Sequence, residues 1–271
     1  MNLRLDAEAA LFSSGGVVAG RYALNDRFKP YMHPLRTPEG HLVSDCMPAD
    51  HRHHKGLMYG LRCADLNFWE ELPGTDQAGV QAILSVEAME AGPDAAGLRQ
   101  RLCWQHESGA RATYAETREI VCRHDAARRA FVWTWRSRRV ALREHRLIKS
   151  PWSLPLEDGR LINYHGLGIR LPWMWAFKGE QFAVVERASE IVPWRETNGD
   201  RCPSLGFRGP IDGHWEPPVA AVIIRQEHGF GWFVLKDGFA YLATGPTCLE
   251  ELEVAPGHVF DETYEIIVQD R

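Results

Sequence analysis

The sequence predicts an all-β protein, a single antiparallel β-sandwich domain that covers residues 1–271. Runs of alternating apolar and polar residues recur along the chain, which is the pattern of half-buried strands. The 24 glycines and 16 prolines punctuate these runs at short intervals, as expected of turns between short strands. Neither a linker-like tract nor a repeat of fixed period interrupts the pattern, so one large sandwich is the simplest architecture.

The clearest predicted element is a hairpin formed by residues 112–122 and 129–137. The turn between them is His124-Asp125-Ala126-Ala127. In the second arm, alternate residues define an apolar face and a mixed face. The apolar face holds Phe131, Trp133 and Trp135, and the other face holds Val132, Thr134 and Arg136. This period of two predicts that Trp133 and Trp135 belong to the core.

The C-terminal third repeats the strand pattern. Residues 219–226, 230–236, 239–243 and 263–269 are predicted strands, separated by His228-Gly229, Asp237-Gly238 and Pro256-Gly257. Residues 137–149 contain neither glycine nor proline and could form a helix on propensity alone. The alternation that flanks this segment favours a strand for most of it.

Composition and charge exclude several classes of partner. Apolar residues at 45% and charged residues at 25% are typical of a globular protein with a sizeable core. A net charge of -5 argues against a nucleic-acid partner. The sequence has no run of about 18 apolar residues, so no membrane span is expected. Residues 1–10 lack an apolar core of the length expected for an export signal. The six cysteines are scattered, so reduced thiols and a cytoplasmic location are expected. The oligomeric state is left open.

The densest group of titratable residues is Asp50-His51-Arg52-His53-His54-Lys55. Histidine titrates near neutral pH and is the commonest metal ligand, so the group predicts proton transfer, sugar-hydroxyl recognition or metal binding. A solvated surface loop is the competing interpretation. On a strand, His51 and His53 would share one face and His54 would take the other. All three imidazoles could serve one site only if a bulge or turn intervened, which Gly56 would allow nearby.

Other segments supply candidate substrate-binding groups. His33 and Arg36 lie in the turn-rich segment before the histidine group, and we expect them to join it at one cleft. Trp69 could stack its indole on the apolar face of a pyranose. The segment Asp212-Gly213-His214-Trp215-Glu216 combines three ionisable groups and an indole in a turn. Packing is the favoured alternative for each tryptophan, and the polar residues could belong to a solvated loop.

Two stretches carry a resemblance to a known family. The first is His33-Pro-Leu-x-Thr-Pro-Glu-Gly, followed by Pro48-Ala-Asp-His-x-His-His-Lys-Gly-Leu and Asn67-Phe68-Trp69. It resembles an uncharacterised bacterial family that carries the label methane oxygenase PmoA-like and a DHxHHRGL motif. Asn163-Tyr164-His165-Gly166-Leu167-Gly168-Ile169-Arg170 is similar to a later stretch of that family. The family's usual setting among sugar-processing enzymes implies carbohydrate chemistry, with Arg170 among the binding residues.

The C-terminus resembles that of galactose mutarotases. The similar segments are Thr247-Cys248-Leu249-Glu250-Glu251 and Val254-Ala255-Pro256-Gly257-His258, with Thr263 beyond. The resemblance implies a β-supersandwich fold with little helix. It also implies that Glu250 is a general base and that His165 is its acid. The chain lacks other mutarotase segments, which puts simple epimerase activity in doubt.

Three hypotheses follow. The first is a carbohydrate isomerase or lyase that uses His53, His54, His165 and Glu250 for acid–base chemistry, without a cofactor or a tightly bound metal. Its substrate-binding residues would be His33, Arg36, Asp50, His51, Lys55, Trp69, Arg170, Asp212, His214 and Trp215. The second is a sugar-binding module without catalysis. The third is a metal-dependent oxygenase or hydrolase that uses His51, His53 and a carboxylate.

Overall fold

The computed structural model describes residues 1–92 and 94–271, and strands make up most of it. In chain order the strands are β1 (Asn2–Leu5), β2 (Ala9–Ser14), β3 (Val17–Ala23), β4 (Tyr31–Leu35), β5 (Leu57–Gly60), β6 (Gly79–Met89), β7 (Ala95–His106), β8 (Tyr114–Asp125), β9 (Ala130–Ala141), β10 (His145–Leu147), β11 (Leu154–Pro155), β12 (Leu161–Ile162), β13 (Gly166–Arg170), β14 (Val184–Arg187), β15 (Glu190–Val192), β16 (Ser204–Pro210), β17 (Val219–Gln226), β18 (Trp232–Asp237), β19 (Phe239–Thr244), β20 (Leu252–Val254) and β21 (Val259–Asp270). Two 3-10 helices span Trp173–Ala176 and Trp194–Thr197, and the described residues contain no α-helix.

Two large antiparallel sheets form the sandwich. One has eight strands in the order β1-β2-β3-β4-β5-β13-β19-β18, and the other has nine in the order β15-β14-β16-β17-β21-β9-β8-β7-β6. The pairs β10-β20 and β11-β12 form two small ribbons beside them. The predicted fold class, an all-β antiparallel supersandwich with little helix, is confirmed.

The predicted hairpin forms as β8 and β9, with both arms longer than expected. The apolar side chains of β9 point into the sandwich, because alternate residues of a strand face opposite sides. There the ring of Trp133 meets Phe12 of β2 at 5.0 Å between centroids, and Trp135 meets Tyr22 of β3 at 5.9 Å. These edge-on contacts join the two large sheets, so the prediction of Trp133 and Trp135 as core residues is confirmed.

The predicted C-terminal strands form as β17, β18, β19 and β21, with shifts of a few residues at their ends. Residues 137–149 form the end of β9 and the short strand β10, and no helix occurs there. Their strand conformation is set by pairing: β9 lies between β8 and β21, and β10 pairs with β20. Tertiary pairing here outweighs local helix propensity.

The outer face of the eight-stranded sheet is also partly covered. On β19, Ala240 and Leu242 pack in the sandwich core, whereas Tyr241 and Ala243 belong to a second apolar cluster. This cluster also contains Met58, Trp69, Ile162, Phe233 and Cys248. The loops that carry Trp69 and residues 150–165 lie over this face, and they shape the cavity described next. Among the described residues, no helix is long and apolar enough to cross a membrane.

Candidate functional site

The segment between β4 and β5 brings the three imidazoles of residues 51–54 together. Its residues 48–54 form two successive turns, in which the His51 N–H donates to the Pro48 carbonyl at 3.0 Å and the His54 N–H donates to the His51 carbonyl at 2.9 Å. The ring of His54 stacks on that of His51 at 4.7 Å between centroids and meets the ring of His53 edge-on at 4.7 Å. The chain therefore forms the intervening turn that the sequence left open, and the three imidazoles lie together.

These imidazoles line a cavity of about 390 Å³ over the outer face of the eight-stranded sheet. This volume lies in the usual range of small-molecule sites. The polar wall consists of Asp50, His51, His53, His54, Glu70 and Tyr164. The apolar wall consists of Leu154, Phe233, Leu235, Phe239 and Tyr241, and Trp152 completes the lining. The side chain of Trp152 is 75% exposed, so an indole face is open to solvent beside the cavity.

The buried guanidinium of Arg170 fixes the state of His54. Its Nη1 donates to His54 Nδ1 at 3.2 Å, and its Cζ lies 4.1 Å from the centroid of the Phe239 ring. Because a guanidinium can only donate, Nδ1 of His54 must accept and the ring proton must sit on Nε2. Burial, together with the neighbouring His53, lowers the pKa of His54 well below its usual value. His54 is therefore a neutral imidazole in one tautomer at neutral pH.

The other members of the histidine group are also held in place. His51 Nδ1 lies 2.7 Å from Asp50 Oδ2, and Asp50 Oδ2 lies 3.8 Å from Arg170 Nη2. Burial and the cation of Lys29 lower the pKa of His53 to about 4. Asp50, His51, His53, His54 and Arg170 thus form one connected polar wall, as the sequence predicts for the first four.

Glu70 supplies a carboxylate to the same cavity. Asn67 fixes it in a turn: Asn67 Oδ1 accepts the backbone N–H groups of Trp69 and Glu70, both at 2.9 Å, while its amide donates to Glu70 Oε2. The hydroxyls of Ser150 and Tyr164 each lie 3.4 Å from Glu70 Oε1. Burial opposes ionisation, but the hydrogen bonds from the Asn67 amide and the Glu70 backbone N–H favour the carboxylate, and the pKa of Glu70 is lowered. Glu70 is therefore ionised at neutral pH.

His165 lies behind this carboxylate and is fully buried. Its ring centroid is 5.3 Å from that of Trp69 and 5.0 Å from that of Tyr164. Neither ring nitrogen has a hydrogen-bond partner among the described residues. Burial lowers the pKa of His165 to about 4, so the ring is neutral at neutral pH. Its ring packs against Trp69 and Tyr164, outside the cavity lining.

Glu250 lies away from the cavity. Its side chain is 75% exposed, and its nearest cationic partner is Arg201, with 3.9 Å between Nη2 and Oε1. The preceding turn explains this position: the Cys248 N–H donates to the Gly245 carbonyl, so Cys248 turns inward and Glu250 turns towards solvent. The structure therefore does not bring the expected base together with His165, and Glu70 is the carboxylate that it places there.

Three other residues that were expected to bind substrate make contacts within the protein instead: Lys55, His33 and Arg36. Lys55 is buried, and its Nζ lies 2.6 Å from Asp26 Oδ2 and 2.6 Å from Glu71 Oε1, so it forms internal ion pairs. His33 Nδ1 bonds to Ser44 Oγ at 2.9 Å, and Arg36 Nη1 donates to the Gly40 carbonyl at 2.9 Å. Both His33 and Arg36 lie outside the cavity lining, because their partners hold them in their own turn.

Trp69 is close to the cavity without facing solvent. Its indole is completely buried, and its centroid lies 6.2 Å from that of His54. A buried indole cannot stack on a sugar, so Trp69 packs beneath the polar wall instead. Asp212, His214 and Trp215 lie on an exposed loop between β16 and β17, where Trp215 is 99% exposed. His214 lies beside His41, with 5.6 Å between the ring centroids, and this loop does not contribute to the cavity.

Residues 10–271 match the sequence profile of a single family, described as Family of unknown function (DUF6807). The chain belongs to this family. No curated protein matches the chain.

Two solved structures are similar over most of the chain. One is the galactosidase domain of alpha-galactosidase-sucrose kinase, AgaSK, with 8% identity and a TM-score of 0.43; the match covers 100% of this chain and 42% of that one. The other is a candidate aldose 1-epimerase from Klebsiella pneumoniae subsp. pneumoniae, with 8% identity and a TM-score of 0.38, covering 96% of this chain and 76% of that one. The chain thus spans less than half the length of the galactosidase structure.

Sequence reasoning missed Glu70, Trp152, Tyr164 and the aromatic wall from β18 and β19. One signal for Glu70 was present, since Asn67-Phe68-Trp69-Glu70 has the spacing at which an Asn side chain caps a backbone turn and can meet a carboxylate three residues later. Tyr164 adjoins His165, and on an extended chain adjacent residues point to opposite faces. Trp152 follows Ser150-Pro151, a turn signal that does not say which cleft lies below it.

Proposed function

We propose that the cavity binds a carbohydrate and that its polar wall transfers a proton on it, as in a sugar isomerase or lyase. The observation that carries this proposal is the composition of one cavity: an ionised carboxylate, neutral imidazoles and a phenol face an aromatic wall. Sugars present both hydroxyls and an apolar C–H face, and this pairing of walls suits both. The resemblance to the PmoA-like family, with its sugar-processing setting, remains a prediction consistent with this proposal.

In the proposed reaction, Glu70 is the base. It takes a proton from the carbon next to a carbonyl group, and the C–H electron pair moves onto the carbonyl oxygen. The Nε2–H of His54 and the imidazole of His53 are neutral donors that stabilise the developing oxyanion. A neutral imidazole suits this role because it need not lose a proton to act. A substrate that excludes water from the cavity would raise the pKa of Glu70 towards the working pH.

Tyr164 completes the proposed proton cycle. Burial raises the pKa of its hydroxyl, so it keeps its proton, and Ser150 Oγ lies 2.5 Å from it. The enediolate can then collapse in two ways. Return of a proton from water to the other face of the carbon gives an epimer, and Glu70 then releases its proton to water. Expulsion of a β-substituent that Tyr164 protonates gives an unsaturated product, and the Tyr164 phenolate then recovers a proton from Glu70, whose Oε1 lies 3.4 Å away. The substrate class is accordingly an oxidised sugar that carries a carbonyl group.

Glu70→Gln and Glu250→Gln form a matched pair of tests. Sugars and keto-sugars would be incubated with each protein in D₂O, and deuterium incorporation or product formation followed by NMR. We expect Glu70→Gln to lower the rate by about 10²–10⁴-fold, the usual contribution of a placed base, and Glu250→Gln to leave it unchanged. Circular dichroism and thermal melting would show that both variants fold. Full activity of Glu70→Gln with loss of activity in Glu250→Gln would instead support the base implied by the mutarotase resemblance.

A non-catalytic sugar-binding module is the second candidate, and the exposure of Trp152 beside the cavity is the observation that favours it. Stacking on an indole holds a sugar without any chemistry. Under this alternative, Trp152→Ala would weaken sugar binding about tenfold or more, and no sugar in the NMR screen would exchange deuterium or change. Turnover of any one sugar, lost in Glu70→Gln, would decide for the enzyme.

A further inference from the structure

A second group of ligand-type side chains lies away from the cavity, at the turn that follows β4. The turn is closed by two backbone bonds: the Thr37 N–H donates to the His41 carbonyl at 3.0 Å, and the Gly40 N–H donates to the Thr37 carbonyl at 2.9 Å. This geometry turns Glu39 and His41 towards the end of β21, where Asp270 lies. Among the described residues, Glu39, His41 and Asp270 are the group whose ligand atoms all lie within 4.8 Å of one another.

The three side chains converge on one point. His41 Nε2 lies 3.6 Å from Glu39 Oε2 and 4.0 Å from Asp270 Oδ1. Ligand atoms bound to one ion at about 2.0–2.2 Å lie about 3–4 Å from each other, so the observed spacing is close to that of a coordination sphere. The exposed side chain of Glu39 can make the small remaining adjustment.

The second oxygen of each carboxylate is already held, which leaves one free oxygen on each. Arg129 Nη2 pairs with Glu39 Oε1, and the Glu39 N–H donates to Asp270 Oδ2 at 3.0 Å. Hydrogen bonds of this kind, to the non-ligating atom, orient the ligands of metal sites. The group carries two carboxylates against one guanidinium, so its electrostatic potential still favours a cation.

Asp270 Oδ1 gives an independent reason to expect a ligand. The Asp270 side chain is only 3% exposed, and Oδ1 has no hydrogen-bond partner among the described residues. A buried carboxylate oxygen without a partner costs free energy that a bound cation would recover. This oxygen faces His41, at the centre of the group.

We propose that Glu39, His41 and Asp270 bind one divalent metal ion of the zinc or manganese type. Two carboxylate oxygens and one imidazole nitrogen are ligands that such borderline cations accept, and the positions left over are open to water. The ion would fasten the turn at residues 37–41 to the last residue of β21. The site lies apart from the proposed sugar cavity and replaces, at these residues, the expectation of a protein without a tightly bound metal.

Metal titration of chelator-stripped protein tests the proposal. ZnCl₂ and MnCl₂ would be titrated by calorimetry, and the melting temperature measured with and without each ion. We expect the wild type to bind one equivalent of at least one of the two ions and to melt several degrees higher with it. His41→Ala and Asp270→Asn should each weaken binding by about 100-fold or more, because each removes one of three protein ligands or its charge. Wild-type protein that binds neither ion would overturn the proposal.

Two control variants locate the ion. His258→Ala removes an exposed imidazole elsewhere and His51→Ala removes one from the cavity, and both should bind as the wild type does. Loss of binding in His51→Ala, with retention in His41→Ala, would place the ion in the cavity and contradict the proposal. If Asp270→Asn fails to fold, the partly exposed His41 still decides the question, because its removal leaves the core intact.

Discussion

At the scale of single residues, buried neutral histidines make this protein sensitive to acid. An unfolded imidazole titrates near pH 6.5, whereas burial lowers the pKa of His165 to about 4. Between these values the unfolded chain binds more protons than the folded one. The stabilising contribution of the neutral ring is therefore complete above pH 6.5 and is lost as the pH falls through about 4. For His165 it corresponds to about 3 kcal/mol.

We predict that His165→Gln reduces this acid sensitivity. Gln does not titrate, so the fall in the free energy of unfolding between pH 7.5 and pH 4.5 should be smaller by about 2–3 kcal/mol in the variant. Urea unfolding at the two pH values measures this difference, and His258→Gln, at an exposed site, serves as the control. Equal falls in the wild type and in His165→Gln would show that folding does not lower the pKa of His165.

At the scale of strands, Gly168 of β13 makes room for the tyrosine that lines the cavity. A Cβ atom at this position would lie 1.9 Å from Tyr241 Oη and 2.6 Å from Tyr241 Cζ. Tyr241 belongs to the neighbouring strand β19, and its ring crosses over the glycine. The close packing of these two strands therefore depends on the absence of a side chain at residue 168.

We predict that Gly168→Ala lowers stability by about 1–3 kcal/mol and also weakens ligand binding, because Tyr241 must move into the cavity. Tyr241→Phe removes the atom in closest conflict. The double variant should therefore recover part of the melting temperature, so that the two changes are not additive. Thermal melting of the four proteins gives this coupling, and strict additivity would mean that Tyr241 is not displaced.

The strands were largely predictable from sequence, and the site was only partly so. The alternation of apolar and polar residues predicted β8, β9 and β17, because successive residues of a half-buried strand face the core and the solvent in turn. The sequence allowed turns at residues 48–54 but could not predict them, since the residue types do not show that the carbonyls of Pro48 and His51 accept backbone hydrogen bonds. Glu70 and Glu250 are chemically equivalent in a sequence. Only the pairing of distant strands and loops decides that Glu70 is enclosed and Glu250 exposed.

At the scale of the whole molecule, buried ion pairs lie between the two large sheets. Arg139 of β9 pairs with Glu262 of β21, and its Nη2 donates to Tyr59 Oη of the opposite sheet at 2.8 Å. Tyr59 in turn donates to Glu262 Oε2 at 2.7 Å. All three side chains are buried. Each charge is satisfied only while its partner is present, so this network fixes how the sheets face each other.

We predict that Arg139→Met lowers the free energy of unfolding by about 3–5 kcal/mol, because it leaves Glu262 charged in the core. Arg139→Met combined with Glu262→Gln should recover part of that loss, since no buried charge is then unpaired. Urea denaturation of the single and double variants tests this expectation. A double variant that is less stable than Arg139→Met would show that Glu262 is stabilised instead by Tyr59 and by Tyr264, whose hydroxyl also donates to Glu262 Oε2 at 2.7 Å.

The position of β21 bears on how the chain folds during synthesis. Residues 259–270 lie in the interior of the nine-stranded sheet, between β17 and β9. Until these residues have been synthesised, strands β15-β14-β16-β17 and strands β9-β8-β7-β6 are separate. Strands β17 and β9 then each have an unpaired edge that is internal in the complete sheet. Open edges of this kind invite pairing with other chains. Completion of the sandwich therefore waits until β21 has been synthesised, after all the strands with which it shares the sheet.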